Sequence, residues 1–187
     1  MESTKTRILK KLLETDGYLS GQDLCEQLGV SRTAVWKYMK QLKEEGYEIE
    51  AIQNKGYCLK DVPDVLGESE IKSRLHTRWA GQTLYYYDEI DSTNTQIKRL
   101  AEEDAPHGTL AVADYQSRGK GRRGRAWDSP HGSAIYMSIL FRPEIRPDRA
   151  SMLTLVIGLS VTQAIRSNLG LQAQIKWPND VVLNGKK

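Results

Sequence analysis

The sequence predicts an α+β chain of two domains, a small N-terminal winged helix-turn-helix followed by a larger domain in which strand-like runs alternate with helices. Three observations carry this reading. Residues 1–60 hold three short amphipathic helical patterns and then two β-type runs around a turn. The segment 61–67, Asp-Val-Pro-Asp-Val-Leu-Gly, has the proline and acidic content of a linker. From Thr83 onward, β-rich runs end in polar turns that open helices or other strands. At 187 residues and 21.2 kDa the chain has ample material for a core.

The first helix is predicted from Thr4 to Leu13, with Ile8, Leu9, Leu12 and Leu13 on one face and Asp16-Gly17 as its stop. Ser20 and Gly21 open a second, carrying Leu24, Cys25 and Leu28. Gly29-Val30 then turns the chain, and Ser31 is placed to cap a third helix that runs to about Glu45 with Val35, Met39 and Leu42 on its apolar face. Gly46 ends it. Strands are predicted over Tyr47–Ile52 and Gly56–Leu59, joined by Gln53-Asn54-Lys55-Gly56, which has hairpin-turn chemistry.

Winged helices serve either DNA binding or protein interaction; for DNA, the N-terminal end of the third helix enters the major groove, which makes Ser31, Arg32, Thr33 and Lys37 the DNA-binding candidates. Arg32 suits a guanine edge, because its fork donates two parallel bonds; Lys37, Lys40 and Lys55 of the wing suit phosphates. Trp36 fits either packing on the wing or lying along DNA. A net charge of +3, and ten Lys or Arg against nine acids in residues 1–60, supply no broad basic field, so DNA binding rests on these positions.

In the second domain a short helix is predicted at Ser69–Leu75 and a strand at Thr83–Tyr87, where three adjacent tyrosines are β-formers. Asp91-Ser92-Thr93-Asn94 then starts a helix running to Glu103. Its hydroxyls, amide and free N–H groups either cap the helix or face a small polar ligand. A strand at Thr109–Tyr115 delivers the chain to Gln116–Trp127, Q-S-R-G-K-G-R-R-G-R-A-W, with five positive side chains, three glycines and no acid. Glycines 119, 121 and 124 allow positive φ and close backbone approach, and the flanking cations suit carboxylate and phosphate oxygens. A strand at Ala134–Phe141 holds the other end of this loop. The longest helix follows, about Ala150–Leu169, with Leu153, Ile157, Val161 and Ile165 as a stripe for packing on the sheet. Two strand pieces then flank the turn Pro178-Asn179-Asp180. Lys176 lies in the first, placed either to neutralise a phosphate in a pocket or as an edge lysine.

Cys25 and Cys58 fall in apolar patterns without metal-ligand spacing, which implies reduced thiols and a cytoplasmic setting. His107 and His131 have no second ligand at metal spacing, and no metal-binding or catalytic role is assigned to either. The N-terminus has no apolar signal core, and Met152–Ile165 reads as too short to span a bilayer.

DSTN at 91–94, YQSRGKGRRGRAW at 115–127 and KWPNDV at 176–181 together resemble the three signature segments of biotin protein ligases. The N-terminal winged helix makes the chain similar to the branch that combines the ligase with a biotin-operon repressor. The resemblance covers essentially the whole chain. It implies a mixed-sheet, class II synthetase-like catalytic domain over 68–187, with a DNA-binding domain at 1–60. A further apolar strand and a small SH3-like β-domain are expected beyond Lys187, so that this chain holds the N-terminal part of the catalytic domain.

Position by position, the resemblance implies that Ser92, Thr93, Asn94 and Gln116 hold the biotin ring system. Lys120, Gly121 and Arg122 close over its carboxylate and the adenylate phosphate. Arg123, Arg125 and Trp127 serve the nucleotide, and Lys176 contacts the reacting carboxylate and α-phosphate. Lys176, Arg122 and Lys120 are thereby the catalytic candidates. Lysine at 120 replaces the family's commoner arginine, keeping the charge and losing the bidentate fork. The implied cofactors are biotin as substrate, ATP and Mg²⁺. The implied partners are a biotin carboxyl carrier protein, operator DNA and, once the adenylate is bound, a second copy of the chain; no membrane is implied. A lipoate ligase, and a biotin-sensing repressor with a degenerate ligase domain, stay open as alternatives.

Overall fold

The computed structural model describes residues 3–186, with the side chain of Arg122 outside the described residues. Two compact units form, Met1–Arg142 and Pro143–Lys187.

The first unit opens with helices α1 (Thr4–Glu14), α2 (Gly21–Leu28) and α3 (Arg32–Glu44), followed by the antiparallel hairpin β1 (Glu48–Ile52) and β2 (Gly56–Asp61). Each helix has a serine cap, Ser31 as expected and Ser3 and Ser20 besides: Ser3 Oγ accepts from Thr6 N, Ser20 Oγ from Gln22 N and Asp23 N, and Ser31 Oγ from Ala34 N. Such caps satisfy N–H groups that have no intrahelical partner and contribute about 1 kcal/mol each. Ile8, Leu9 and Leu12 from α1, Leu24 and Leu28 from α2, and Val35, Met39 and Leu42 from α3 close one core with Tyr47 and Ile49. The hairpin is tied back to the helices by a reciprocal backbone pair, Leu19 N to Tyr57 O at 2.7 Å and Tyr57 N to Leu19 O at 2.9 Å.

The segment after β2 is packed. Val62 lies against the helical core, and Pro63 fills the space a Cβ on Gly46 would need. Helix α4 (Glu68–Ser73) starts and stops earlier than the sequence suggests and docks on α1. There the Tyr47 hydroxyl donates to Glu70 Oε2 at 2.5 Å, and Arg74 Nε donates to the other Glu70 oxygen.

The sheet of this unit runs β3 (Leu84–Ile90), β4 (Leu110–Gln116), β5 (Tyr136–Ile139), with β3 parallel to β4 and β4 antiparallel to β5. It is the mixed sheet of an α+β fold. Helix α5 (Thr93–Glu102) connects β3 to β4 and buries Ile97 and Leu100 against Ala111 and Leu140. Strand β3 runs on through Asp88 and Glu89, past the expected end at Tyr87, because its register with β4 continues to Ile90↔Gln116. That register brings the C-terminal ends of two parallel strands side by side. In open α/β sheets ligands are received at that end.

The second unit begins with a 3₁₀ turn, Pro147–Met152, that leads into α6 (Leu153–Leu169), followed by the hairpin β6 (Gln174–Lys176) and β7 (Asp180–Val182). The expected stripe of Leu153, Ile157, Val161 and Ile165 does not become a buried face: Thr162 is the buried residue of α6, and Ile157 and Val161 are exposed. Together with the 3₁₀ turn, α6 makes a 23-residue helical run, Pro147–Leu169, long and apolar enough to cross a membrane by length and composition only; the 14 residues Met152–Ile165 alone are too short. Its packing is that of a helix on a hairpin. It contacts β6 and β7, and Arg166 Nε donates to Ala173 O at 2.8 Å.

Candidate functional site

The site grows out of the adjoining ends of β3 and β4. Beyond the strands the ladder continues, with Ser117 N donating to Ile90 O at 2.9 Å and Arg118 N to Asp91 O at 2.8 Å. The Asp91–Asn94 turn and the start of the basic loop are therefore one piece of structure. Asp91 is clamped by Arg99, Nη2 to Oδ2 at 2.7 Å, from within α5. The hydrogen bond from Arg99 holds the Asp91 carboxyl below the usual carboxylate range; burial opposes this, and the Ser92 N–H and the charge of Lys120 add to it.

Asp91 Oδ1 also takes the Ser92 N–H. Thr93 N donates to Gln116 Oε1 at 2.8 Å, and Thr93 Oγ1 lies 3.1 Å from the same oxygen and 3.0 Å from Ser138 Oγ. These N–H groups, expected to be free for a ligand, are already committed. The hydroxyl of Ser92 is not: it makes no cap bond, is 1% exposed, and its Oγ has no hydrogen-bond partner in the structure. Ser92 is the N-cap residue of α5, with its carbonyl accepting from Gln96 N at 2.9 Å, but its hydroxyl takes no part in capping. A buried unpaired hydroxyl costs on the order of 1–3 kcal/mol, which makes Ser92 a candidate partner for a polar ligand group or an ordered water. Thr95 Oγ1, in the first turn of α5, is in the same condition. Asn94 is exposed.

The basic loop folds back on itself as a hairpin. Its feet join through Trp127 N to Gly119 O at 2.9 Å, its middle through Gly121 N to Arg125 O at 2.8 Å, and Arg122–Gly124 form a 3₁₀ turn at the tip. Of the three glycines expected to supply positive φ, Gly124 does so (+73°), and Arg123 beside it is also left-handed at +57°. Gly119 is needed for space: a Cβ there would sit 2.3 Å from Trp127 O and 2.7 Å from Ser129 Oγ. Arg123 and Arg125 are exposed, Lys120 lies at the loop's narrow base, and none of the three forms an ion pair among the described residues. Cations without counter-ions on an exposed loop suit carboxylate or phosphate oxygens. Lys176 ends β6 in the second unit, exposed and opposite Asp180 in the hairpin register.

Four participants escape the sequence reading. Ser129, 1% exposed, accepts from Gln116 Nε2 at 2.9 Å and donates to Trp127 O at 3.2 Å. Ser138 approaches Thr93 from β5. Asp114 accepts from His131 Nδ1 at 2.8 Å and Gly132 N at 3.1 Å, and the His131 ring stacks on Tyr115, which pins the return of the loop to β4. No spacing announces these contacts, since Ser129 and His131 sit in a Pro/Gly turn whose composition is that of any surface turn.

At the winged helix, Arg32, Thr33, Trp36 and Lys37 lie on α3, with Trp36 60% exposed. The Ser31 hydroxyl is used in capping. Arg32 donates through Nε and Nη2 to Gln22 Oε1, and Lys55 stands over the Tyr18 ring at the wing.

The model of the biotin/lipoate A/B protein ligase family matches residues 86–187. The chain belongs to that family. An HTH domain model matches residues 4–58, ahead of the ligase family segment. The chain is 45% identical to the bifunctional ligase/repressor BirA of Bacillus subtilis, over all of this chain and 58% of that protein. It is 35% identical to that of Escherichia coli, over 94% of this chain and 53% of that protein. A solved biotin protein ligase from Aquifex aeolicus, in complex with biotin and ATP, is 39% identical over 55% of this chain and 42% of that one, with a TM-score of 0.48. The chain thus spans 53–58% of the length of the two ligase/repressor relatives.

Proposed function

We propose that this chain is the DNA-binding domain and the N-terminal part of the catalytic domain of a cytoplasmic biotin protein ligase that also acts as a biotin-responsive repressor. The observation that carries the ligase reading is the orphan Ser92 hydroxyl, buried beside the Thr93–Gln116 clamp at the foot of a loop whose Lys120, Arg123 and Arg125 form no ion pair among the described residues. A polar, uncharged ring system with an adjoining carboxylate satisfies both features at once. Ser92, Thr93, Asn94 and Gln116 are assigned to the biotin ring. Lys120, Gly121, Arg122 and Lys176 are assigned to its carboxylate and the α-phosphate, and Arg123, Arg125 and Trp127 to the nucleotide.

In the first half-reaction a carboxylate oxygen of biotin attacks the α-phosphorus of ATP; the new P–O bond forms as the bond to the β-phosphate oxygen breaks, and pyrophosphate leaves. Two anions must meet, so the step needs positive charge fixed in place beforehand. That is the role of Lys120, Arg122 and Lys176. In the second half-reaction an acceptor lysine amine, on a biotin carboxyl carrier protein, attacks the acyl carbon of biotinyl-5′-AMP, and AMP departs. Magnesium would arrive with the nucleotide phosphates: no group of three or more His, Cys, Asp or Glu able to hold a metal is assembled among the described residues, and no protein ligand is assigned to it.

Residues 1–60 are assigned to operator DNA, with Arg32 on a base edge, Thr33 and Ser31 beside it at the helix end, and Lys37 and Lys55 on phosphates. Segment 61–67 joins them to the catalytic part, 68–187. Dimerisation on binding the adenylate would present two such modules to a two-fold site.

The test is biotin-dependent exchange of radiolabelled pyrophosphate into ATP, run on this chain and on a form continued past Lys187. Exchange by both places a working adenylation site within residues 1–187. Exchange by the longer form alone assigns part of the site to residues beyond Lys187. Exchange by neither, with biotin still bound, leaves a sensor without ligase activity.

A further inference from the structure

The Gln116 side-chain amide has a fixed orientation, and the chemistry of its neighbours says why. Thr93 N is an obligatory donor, so the atom 2.8 Å away from it must be the amide oxygen. Nε2 therefore faces Ser129 Oγ, 2.9 Å away, and the serine must accept. A serine that accepts there still has a proton to give, and Trp127 O, at 3.2 Å, is where it goes. Gln116 N also donates to Ser129 O at 3.2 Å. Trp127 N in turn bonds Gly119 O, the opposite foot of the basic loop. Ser129 thus stands at the junction of two structures, the amide clamp at the start of α5 and the closed base of the loop.

We propose that Ser129 is a positioning residue that couples closure of the basic loop to the orientation of the Gln116 amide. Its hydroxyl is a two-way contact: opening the loop's feet moves Trp127 O and frees the serine proton, and the serine no longer holds Nε2 in place. Conversely, a ligand that engages the clamp steadies Gln116, hence Ser129, hence the loop. Ser129 is buried, so water does not readily replace its bonds. The proposal deepens the ligase reading above and rests on it for the identity of the ligand.

Limited trypsin digestion of the loop, which cuts after its lysine and arginines, reads the coupling with and without biotin and ATP. It is run on the chain together with whatever its gene encodes past Lys187. In Ser129→Ala the ligand-free loop is expected to be cut faster than in the wild type. Biotin affinity should fall about ten-fold, the typical weight of a buried hydrogen bond or slightly more, and biotin should lose most of its protective effect. Ser129→Thr, which keeps the hydroxyl, should restore protection. Because Ser129 acts through Gln116, adding Ser129→Ala to Gln116→Ala should cost little further affinity, whereas a merely structural serine would give additive losses. Unchanged cutting in ligand-free Ser129→Ala, biotin affinity within about two-fold of wild type, or additive losses would overturn the proposal. If the wild type itself binds no biotin, the ligase reading fails instead, and the ligand-free cutting rates alone decide the serine's role.

Discussion

Replacing Gly56 by alanine tests how the wing is built and whether the chain's two functions separate. Gly56 opens β2 at φ +108°, and a Cβ there would sit 2.1 Å from Leu19 O, 2.7 Å from Leu19 C and 2.9 Å from Ser20 Cα. All three are backbone atoms. No side chain can swing away, so the wing must part from the α1–α2 loop. Parting breaks the two backbone bonds between Leu19 and Tyr57, worth roughly 0.5–1.5 kcal/mol each. Holding an alanine at positive φ adds about 1–2 kcal/mol. The sum is about 2–5 kcal/mol. Urea denaturation should show this loss as a lower midpoint at unchanged slope. Binding to duplexes selected by the wild type from a random library should fall sharply as Lys55 and the wing are displaced, while biotin-dependent pyrophosphate exchange persists. A loss below about 0.5 kcal/mol would mean that the wing does not press on Leu19, and would refute the steric basis of the prediction.

Three further outcomes rest on the same kind of geometry. Tyr47→Phe removes a hydroxyl whose 2.5 Å bond to Glu70 holds α4 on the winged helix; burial and that bond push the phenol above its usual range, so it stays protonated at all working pH values. Since Arg74 still satisfies Glu70, the loss should lie near the lower end for a bond to a charged group, about 1–2 kcal/mol by chemical denaturation. Gly119→Ala, which puts a methyl against the backbone oxygen Trp127 O and against Ser129 Oγ, should force the loop's base apart, lower the melting temperature and abolish biotin-dependent protection of the loop from trypsin; unchanged stability with retained protection would refute the tight base. The Asp114 carboxyl is held below the usual range by the His131 hydrogen bond, with Gly132 N–H adding and burial opposing. A depressed carboxylate stabilises the fold above its ordinary pKa of about 3.9, and that contribution is lost as pH falls through the folded value. Melting temperature measured from about pH 6 downward should therefore fall less steeply in Asp114→Asn than in the wild type.

Local signals sufficed for the winged helix. Ser31 is a capping residue by its own chemistry, and the apolar residues of α1 and α3 recur at helical spacing, so that cap and the core face were legible locally, whereas the Ser3 and Ser20 caps came with the structure. The basic loop and the DSTN turn were legible as chemistry, because guanidinium forks, glycines and hydroxyls announce what they bind. Their meeting was a matter of sheet topology. It takes the parallel pairing of β3 with β4, register Ile90↔Gln116, to bring Asp91 onto Arg118 N and Thr93 onto Gln116.

The sequence by itself determined the order of elements, the Ser31 cap and the chemical character of both candidate sites, since these depend on side-chain type and spacing within a few residues. Tertiary structure alone decided that the Ser92 hydroxyl, at the N-cap of α5, makes no capping bond, that Gly119 is required for space and not for its φ, and that Ser129, in an ordinary surface turn, joins the loop to the clamp. The contacts involved join residues 13 positions apart in Gln116–Ser129 and 45 apart in Thr93–Ser138. Local pattern carries no information about distances that the folded backbone alone sets.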